Sequence, residues 1–173
     1  MATQRSAEPD FVDELVGQWG RERPDLDLQA MATLGRLARL HAFVLRSVED
    51  VLAGHGLQLG EFDVLATLRR RGAPYTAKPS EIARTLMLSP AGVTSRLDRL
   101  EGLGFVRREP DPEDRRSVTV ALTDAGHALI DAAITDHVAN EARLLAPLSA
   151  RERATFNDLL RKLLDAFEAE PRG

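Results

Sequence analysis

The stretch from Ser89 to Thr123, SPAGVTSRLDRLEGLGFVRREPDPEDRRSVTVALT, constrains the fold more than any other part of the chain. Ser89 is a good helix N-cap, and Pro90 suits the first helical position. Val93, Leu97 and Leu100 recur at helical spacing and predict a buried face. Gly102 and Gly104 stand where a helix should stop. Beyond them the helical period gives way to alternation. That change predicts a strand over Phe105 to Arg108, a polar tip over Glu109 to Arg116, and a second strand with Val118, Val120 and Leu122 on one face. Pro110, Asp111 and Pro112 are turn residues, and the prolines cannot donate to a sheet ladder. A helix followed directly by a hairpin with a basic tip is the layout of a winged helix-turn-helix. In such a layout the helix Ser89 to Leu103 enters a DNA major groove, and the tip reaches the adjacent minor groove.

The run GFVRREPDPEDRRSVTVALTDAG resembles the wing of the MarR family of transcription factors, whose hallmark is an Asp- and Arg-rich hairpin leading into Leu-Thr-x-x-Gly. The resemblance implies a dimeric DNA-binding regulator, usually a repressor released by a small molecule. The residues suit these roles. With Val93, Leu97 and Leu100 buried, the helix exposes Ala91, Thr94, Ser95, Asp98 and Arg99. Small residues at its start, Ser89 and Ala91 among them, allow close approach to base edges. Thr94 and Ser95 are donors, and Arg99 suits a phosphate or a guanine. At the wing tip, Arg115 or Arg116 would place a guanidinium in the minor groove, where the potential is most negative. Asp111 and Asp114 then read as brackets that fix the arginine and the turn. MarR relatives commonly carry threonine before the proline of the preceding helix; here it is Lys78, a poorer cap but an added phosphate-facing charge. The plainer alternative is a solvated helix face and a surface ion-pair cluster worth about 0–1 kcal/mol.

The net charge of −4 argues at first sight against a polyanionic partner. Its distribution reverses that argument. Between Arg69 and Arg108 lie nine basic residues and only three acidic ones, Glu81, Asp98 and Glu101. Phosphate attraction depends on the facing patch rather than the global sum. Aromatic residues are only 5% of the chain, so the core must be built from Leu, Ala and Val, which favours helices. The absence of cysteine excludes disulfides, thiol redox sensing and Cys-based metal sites. The sequence shows no membrane-length apolar run and no signal peptide, so a cytoplasmic protein is expected.

Around this centre the chain reads as mainly α with a small β-wing. Phe11, Val12, Leu15, Val16 and Trp19 predict a short amphipathic helix ended by Gly20. RERPDLD is a polar connector, and Asp27 is a plausible cap for a long helix to Gly54, about 40 Å in length. Gly56 and Gly60 bracket a loop. Glu61 to Arg71 is the next helix, a loop leads to Lys78, and Pro79 to Leu86 is the first helix of the helix-turn-helix, with Met87 and Leu88 as the turn. Thr123 and Asp124 cap a helix to about Leu145, and Ser149 with Glu152 forms a capping box for the last helix. Phe156, Leu159, Leu160, Leu163, Leu164 and Phe167 form an apolar stripe too wide for a lone terminal helix. The expected organisation is residues 1–55 as N-terminal ligand-cover and dimerisation helices, 56–122 as the DNA-binding domain, and 123–173 as C-terminal dimerisation helices.

A second resemblance is to the urate-responsive branch of the same family. Trp19 with RERPDLD behind it, EFDVLATLRR and the recognition-helix arginine carry it, and that branch has an extra N-terminal helix, as here. The ligand site it implies comprises Trp19, Asp63, Arg70 and Arg96. Asp63 and Arg70 lie two turns apart on one helix face, about 10 Å by helical rise. That gap suits a flat ligand. Arginine can bind an anionic oxygen in bidentate fashion, aspartate can accept from ring N–H groups, and tryptophan can cover the ring. The plainer alternative has Trp19 stapling a helix and Asp63 forming a structural pair with Arg96.

Enzyme motifs are missing: there is no Gly-rich phosphate loop, nucleophile elbow or zinc motif. His41, His55, His127 and His137 lack metal-ligand spacing, and no metal or cofactor is expected. The expectation is a homodimeric winged-helix repressor that binds double-stranded DNA and is released by a small anionic effector, urate or a similar metabolite. The competing class is a winged-helix protein-interaction module without ligand response.

Overall fold

In the computed structural model, residues 8–111 and 117–169 are described. Arg115, Arg116 and Asp114, the expected wing-tip residues, lie outside them. The chain divides into two compact units, residues 1–47 and 48–173, with the division inside a long helix.

In the first unit, α1 (Phe11–Glu22) is capped by Asp10. The Asp10 carboxylate accepts the N–H groups of Val12 and Asp13 at 2.8 and 3.0 Å, and Asp13 reaches back to the Asp10 N–H at 2.9 Å. The helix runs two residues past the expected stop at Gly20, and the Arg23 N–H closes it on the Trp19 carbonyl at 2.7 Å. Arg36 of α2 (Gln29–Gly54) binds both Asp10 and Asp13, at 2.8 and 2.5 Å. Its guanidinium is the main cause that holds both carboxyls below the usual range. Asp27 accepts the Gln29 N–H at 3.0 Å, as its capping role requires. The 26 residues of α2 span about 39 Å. Phe11, Leu15, Trp19, Leu34, Leu37, Leu40 and Phe43 leave this unit with a broad exposed apolar surface.

The second unit contains α3 (Leu59–Arg70), β1 (Thr76–Ala77), α4 (Pro79–Leu86), α5 (Pro90–Gly102), β2 (Val106–Pro110), β3 (Val118–Leu122), α6 (Asp124–Leu144) and α7 (Ala150–Ala169). The strands form an antiparallel sheet in the order β1-β3-β2, with Val106 opposite Leu122 and Thr76 opposite Ala121. The core joins Leu52, Val64, Leu65, Leu68, Ile82, Leu97, Leu100, Val120 and Ile130, all fully buried or nearly so. This is a winged helix-turn-helix extended by helices at both ends. Helix α7 has no fully buried residue among those described, and its Leu159, Leu163, Leu164 and Phe167 are exposed. Among the described residues no helix is long and apolar enough to cross a membrane.

Three further boundaries differ from expectation. Helix α3 starts at Leu59, so Gly60 sits in its first turn rather than in a loop; the Glu61 carboxylate caps it by accepting the Gln58 N–H at 2.9 Å. Strand β1 replaces part of the expected loop before Lys78. Strand β2 runs to Pro110, whose missing N–H is tolerated at the strand's end.

The Leu-Thr-x-x-Gly signature has a direct physical basis. Thr123 accepts the Gly126 N–H at 3.0 Å and donates its hydroxyl to the Gly104 carbonyl at 2.7 Å. Its own N–H binds the Phe105 carbonyl at 3.1 Å. A Cβ on Gly126 would stand 1.9 Å from that carbonyl oxygen, so only glycine lets α6 start this close to the base of the wing.

Candidate nucleic-acid interface and adjoining polar site

Helix α5 presents the face expected of it. Ser89 accepts the Gly92 N–H at 3.1 Å and caps the helix. Val93, Leu97 and Leu100 point into the core. Ser89, Ala91, Thr94, Ser95, Asp98 and Arg99 are exposed. Met87 takes a left-handed conformation (φ 53°) that ends α4 and turns the chain into α5, and its side chain is 79% exposed. A large thioether at the turn next to the recognition helix is a feature that sequence periodicity does not single out.

Ion pairs set the angle of this helix against its neighbours. Glu61, buried at the start of α3, holds Arg99 through Nε at 2.6 Å. Arg108 of β2 bridges Asp98 and Glu101 of α5, each at 2.6 Å, and donates its backbone N–H to Glu101 at 3.0 Å. These carboxylates are what push the Arg108 pKa up, Asp98 foremost. Arg108 thereby ties β2 to the recognition helix. Lys78 lies 2.8 Å from the buried Asp111 at the wing, and Arg71 lies 3.0 Å from Glu81. Lys78 gives α4 no side-chain cap; Glu81 supplies one by accepting the Lys78 N–H at 3.1 Å. Much of the local basic surplus is therefore matched by internal carboxylates, a distribution that a count along the sequence cannot reveal. Arg107 pairs with Glu109 on its own strand.

Next to this interface lies a polar site on α3, α5 and α6. Arg96 of α5 is half-buried and folds back on α3, with Nη1 3.5 Å from the Gly92 carbonyl. Its guanidinium packs directly on Gly60, where an added Cβ would lie 2.1 Å from Nε. Gly60 therefore supplies the seat for Arg96. Asp63, one turn further along α3, is half-buried. Burial raises its pKa, and the charges of Arg96, Arg70 and His137 oppose that rise, in that order. Asp63 nevertheless makes no ion pair among the described residues, so the simple structural pair with Arg96 is not formed. Arg70 is exposed, with Nη2 3.1 Å from the Thr67 hydroxyl. Three of the four expected ligand residues thus share one electrostatic neighbourhood. Trp19 stands half-exposed on α1 in the first unit. A cavity of about 430 Å³, lined by Glu49, Ala53, Leu57, Gln58, Leu59 and Gly60, reaches the Gly60 side of the site. Asp63 and Arg70 are not among its walls.

Comparison with known proteins gives the same picture. Residues 57–118 match the model of the MarR family. The HTH-type transcriptional regulator PecS of Dickeya dadantii is 47% identical over 149 residues, which cover 86% of this chain and 90% of the relative. The HTH-type transcriptional repressor MdtR of Bacillus subtilis is 29% identical, covering 85% of this chain and 87% of the relative. Among solved structures, a mutant MarR from E. coli complexed with operator DNA is similar at a TM-score of 0.67 and 30% identity, covering 79% of this chain and 97% of the other.

Proposed function

The chain belongs to the MarR family of winged-helix transcriptional regulators, and on that premise we propose that it is a homodimeric repressor that leaves a pseudo-palindromic operator when a small anionic ligand binds. It is a DNA-binding regulator, not an enzyme. In the proposed complex, Ser89, Ala91, Thr94, Ser95 and Arg99 face the major groove, Lys78 faces the backbone, and Arg115 and Arg116 reach the minor groove. The exposed apolar residues of α1, α2 and α7 supply the dimer interface. Such a dimer would place half-sites about one helical turn apart.

The ligand, urate or a similar metabolite, would engage Trp19, Asp63, Arg70 and Arg96. One observation carries this reading: Arg96 belongs to the recognition helix, yet its guanidinium sits on α3 near a half-buried Asp63 that it does not bond. A ligand oxygen that draws Arg96 from Gly60 shifts α5, and operator affinity falls because the ligand binds the two states unequally. Operator release by urate tests this. Arg96→Ala and Asp63→Ala should each require higher urate concentrations for release; unchanged concentrations in both would refute the site.

A further inference from the structure

We infer that His137 is a further member of this ligand site, an acceptor for a ligand N–H, and that the site therefore selects planar heterocyclic oxyanions carrying N–H donors over plain aromatic carboxylates. The inference rests on the site proposed above and adds a residue from a third element, α6. The His137 ring lies against Phe62, the residue before Asp63, with centroids 4.9 Å apart and planes at 47°. Its Nε2 stands 3.2 Å from the Glu141 carboxylate one turn on. Its Nδ1 is buried and has no hydrogen-bond partner among the described residues.

These contacts assign the ring's chemistry. A carboxylate accepts and cannot donate, so Glu141 at 3.2 Å favours the proton on Nε2, and in that neutral tautomer Nδ1 is a lone pair. A buried acceptor without a donor costs free energy until something supplies one. Protein structures rarely leave such atoms unpaired without a functional cause. Asp63 beside it is likewise acceptor-only when ionised. Arg70 and Arg96 supply donors only. The site thus offers two acceptors and two cationic forks. The complementary molecule carries negative oxygen for the arginines and N–H groups for Asp63 and His137. Benzoate satisfies the arginines alone, whereas urate satisfies both sets.

The test compares operator release by urate and by benzoate for the full-length protein and the variants His137→Asn, His137→Gln and Glu141→Gln. Asparagine places an amide oxygen near the position of Nδ1; glutamine reaches the Nε2 position and loses that acceptor. Each release curve is referred to the variant's own operator affinity without ligand, and melting temperatures report folding. The expected result is that His137→Gln raises the urate concentration for half-release about three- to tenfold, the range of one neutral hydrogen bond. His137→Asn should recover most of the loss. Glu141→Gln, at an exposed position, should weaken release less than His137→Gln. Benzoate should act more weakly than urate and be indifferent to position 137. Equal urate response in His137→Gln and the unaltered protein would overturn the inference and leave the four-residue site standing. Equal loss in His137→Asn and His137→Gln would reduce His137 to packing and also overturn it. No release of the unaltered protein by urate would sink the four-residue site and this inference together.

Discussion

Replacing Gly60 by alanine isolates the seat of Arg96 from the rest of the fold. The new Cβ would lie 2.1 Å from Arg96 Nε and 2.8 Å from Cζ and Nη2, far inside contact distance. The obstructing atoms belong to the end of a long, flexible side chain, so Arg96 yields and the backbone stays. Alanine in a helix is favoured over glycine by about 0.5–1 kcal/mol. Losing the packing and the weak bond to the Gly92 carbonyl costs about the same. The two terms nearly cancel, and the melting temperature should move by no more than about 3 °C. Operator affinity should respond far more, because displacing Arg96 copies the step assigned to the ligand. A loss of about tenfold corresponds to about 1.4 kcal/mol of operator binding. Fluorescence anisotropy with an operator duplex measures it, and urate should then add little further release. A large drop in melting temperature would show that Arg96 cannot yield. Unchanged operator affinity with an unchanged urate response would show that its seat has no part in the switch.

The other expectations follow from particular contacts. Gly126→Ala sets a Cβ 1.9 Å from a backbone carbonyl, where nothing flexible can move; a loss of about 3 kcal/mol or more in chemical denaturation is expected. Glu61→Gln keeps the helix cap but weakens the hold on half-exposed Arg99, and should cost about 1–2 kcal/mol by the same measurement. Arg108→Ala uncouples β2 from α5 and should weaken operator binding about tenfold by anisotropy, with only a small change in melting temperature. Burial raises the Asp63 pKa above its unfolded value. Stability from this group is therefore full below the ordinary aspartate range and lost as pH rises through the raised folded value. Thermal scans should show Asp63→Asn gaining on the unaltered protein across that window; a gap independent of pH would refute the assignment.

The recognition helix and the two strands of the wing were legible because each rests on local chemistry: the Ser89 cap, Pro90, the Val93–Leu97–Leu100 period, and the alternation of Val118, Val120 and Leu122. The caps at Asp27, Thr123 and Ser149 were legible for the same reason, with the Ser149–Glu152 reciprocal bonds at 2.8 and 3.3 Å. Gly60 misled because glycine usually breaks helices, whereas here it gives room to an arginine thirty-six positions away in the sequence. Strand β1 was missed because two residues carry no period. The pairs Glu61–Arg99, Lys78–Asp111 and Arg108–Asp98 join elements across the fold and leave no signature in spacing. The Gln58-x-x-Glu61 capping pattern was the one local hint that Glu61 had a structural role. Spacing does not single out His137, since its stack on Phe62 and an Nδ1 without a partner among the described residues exist only after α6 packs on α3.

The most direct test is a titration of labelled upstream duplex from the protein's own locus, at two salt concentrations, with and without urate. Phosphate contacts release counterions, so specific binding must weaken steeply as salt rises. Tight, salt-sensitive binding that urate weakens through Asp63, Arg70 and Arg96 is the expected result. Tight binding indifferent to urate would contradict the ligand site, and absence of specific, salt-sensitive binding would contradict the DNA-binding role assigned to α5 and the wing.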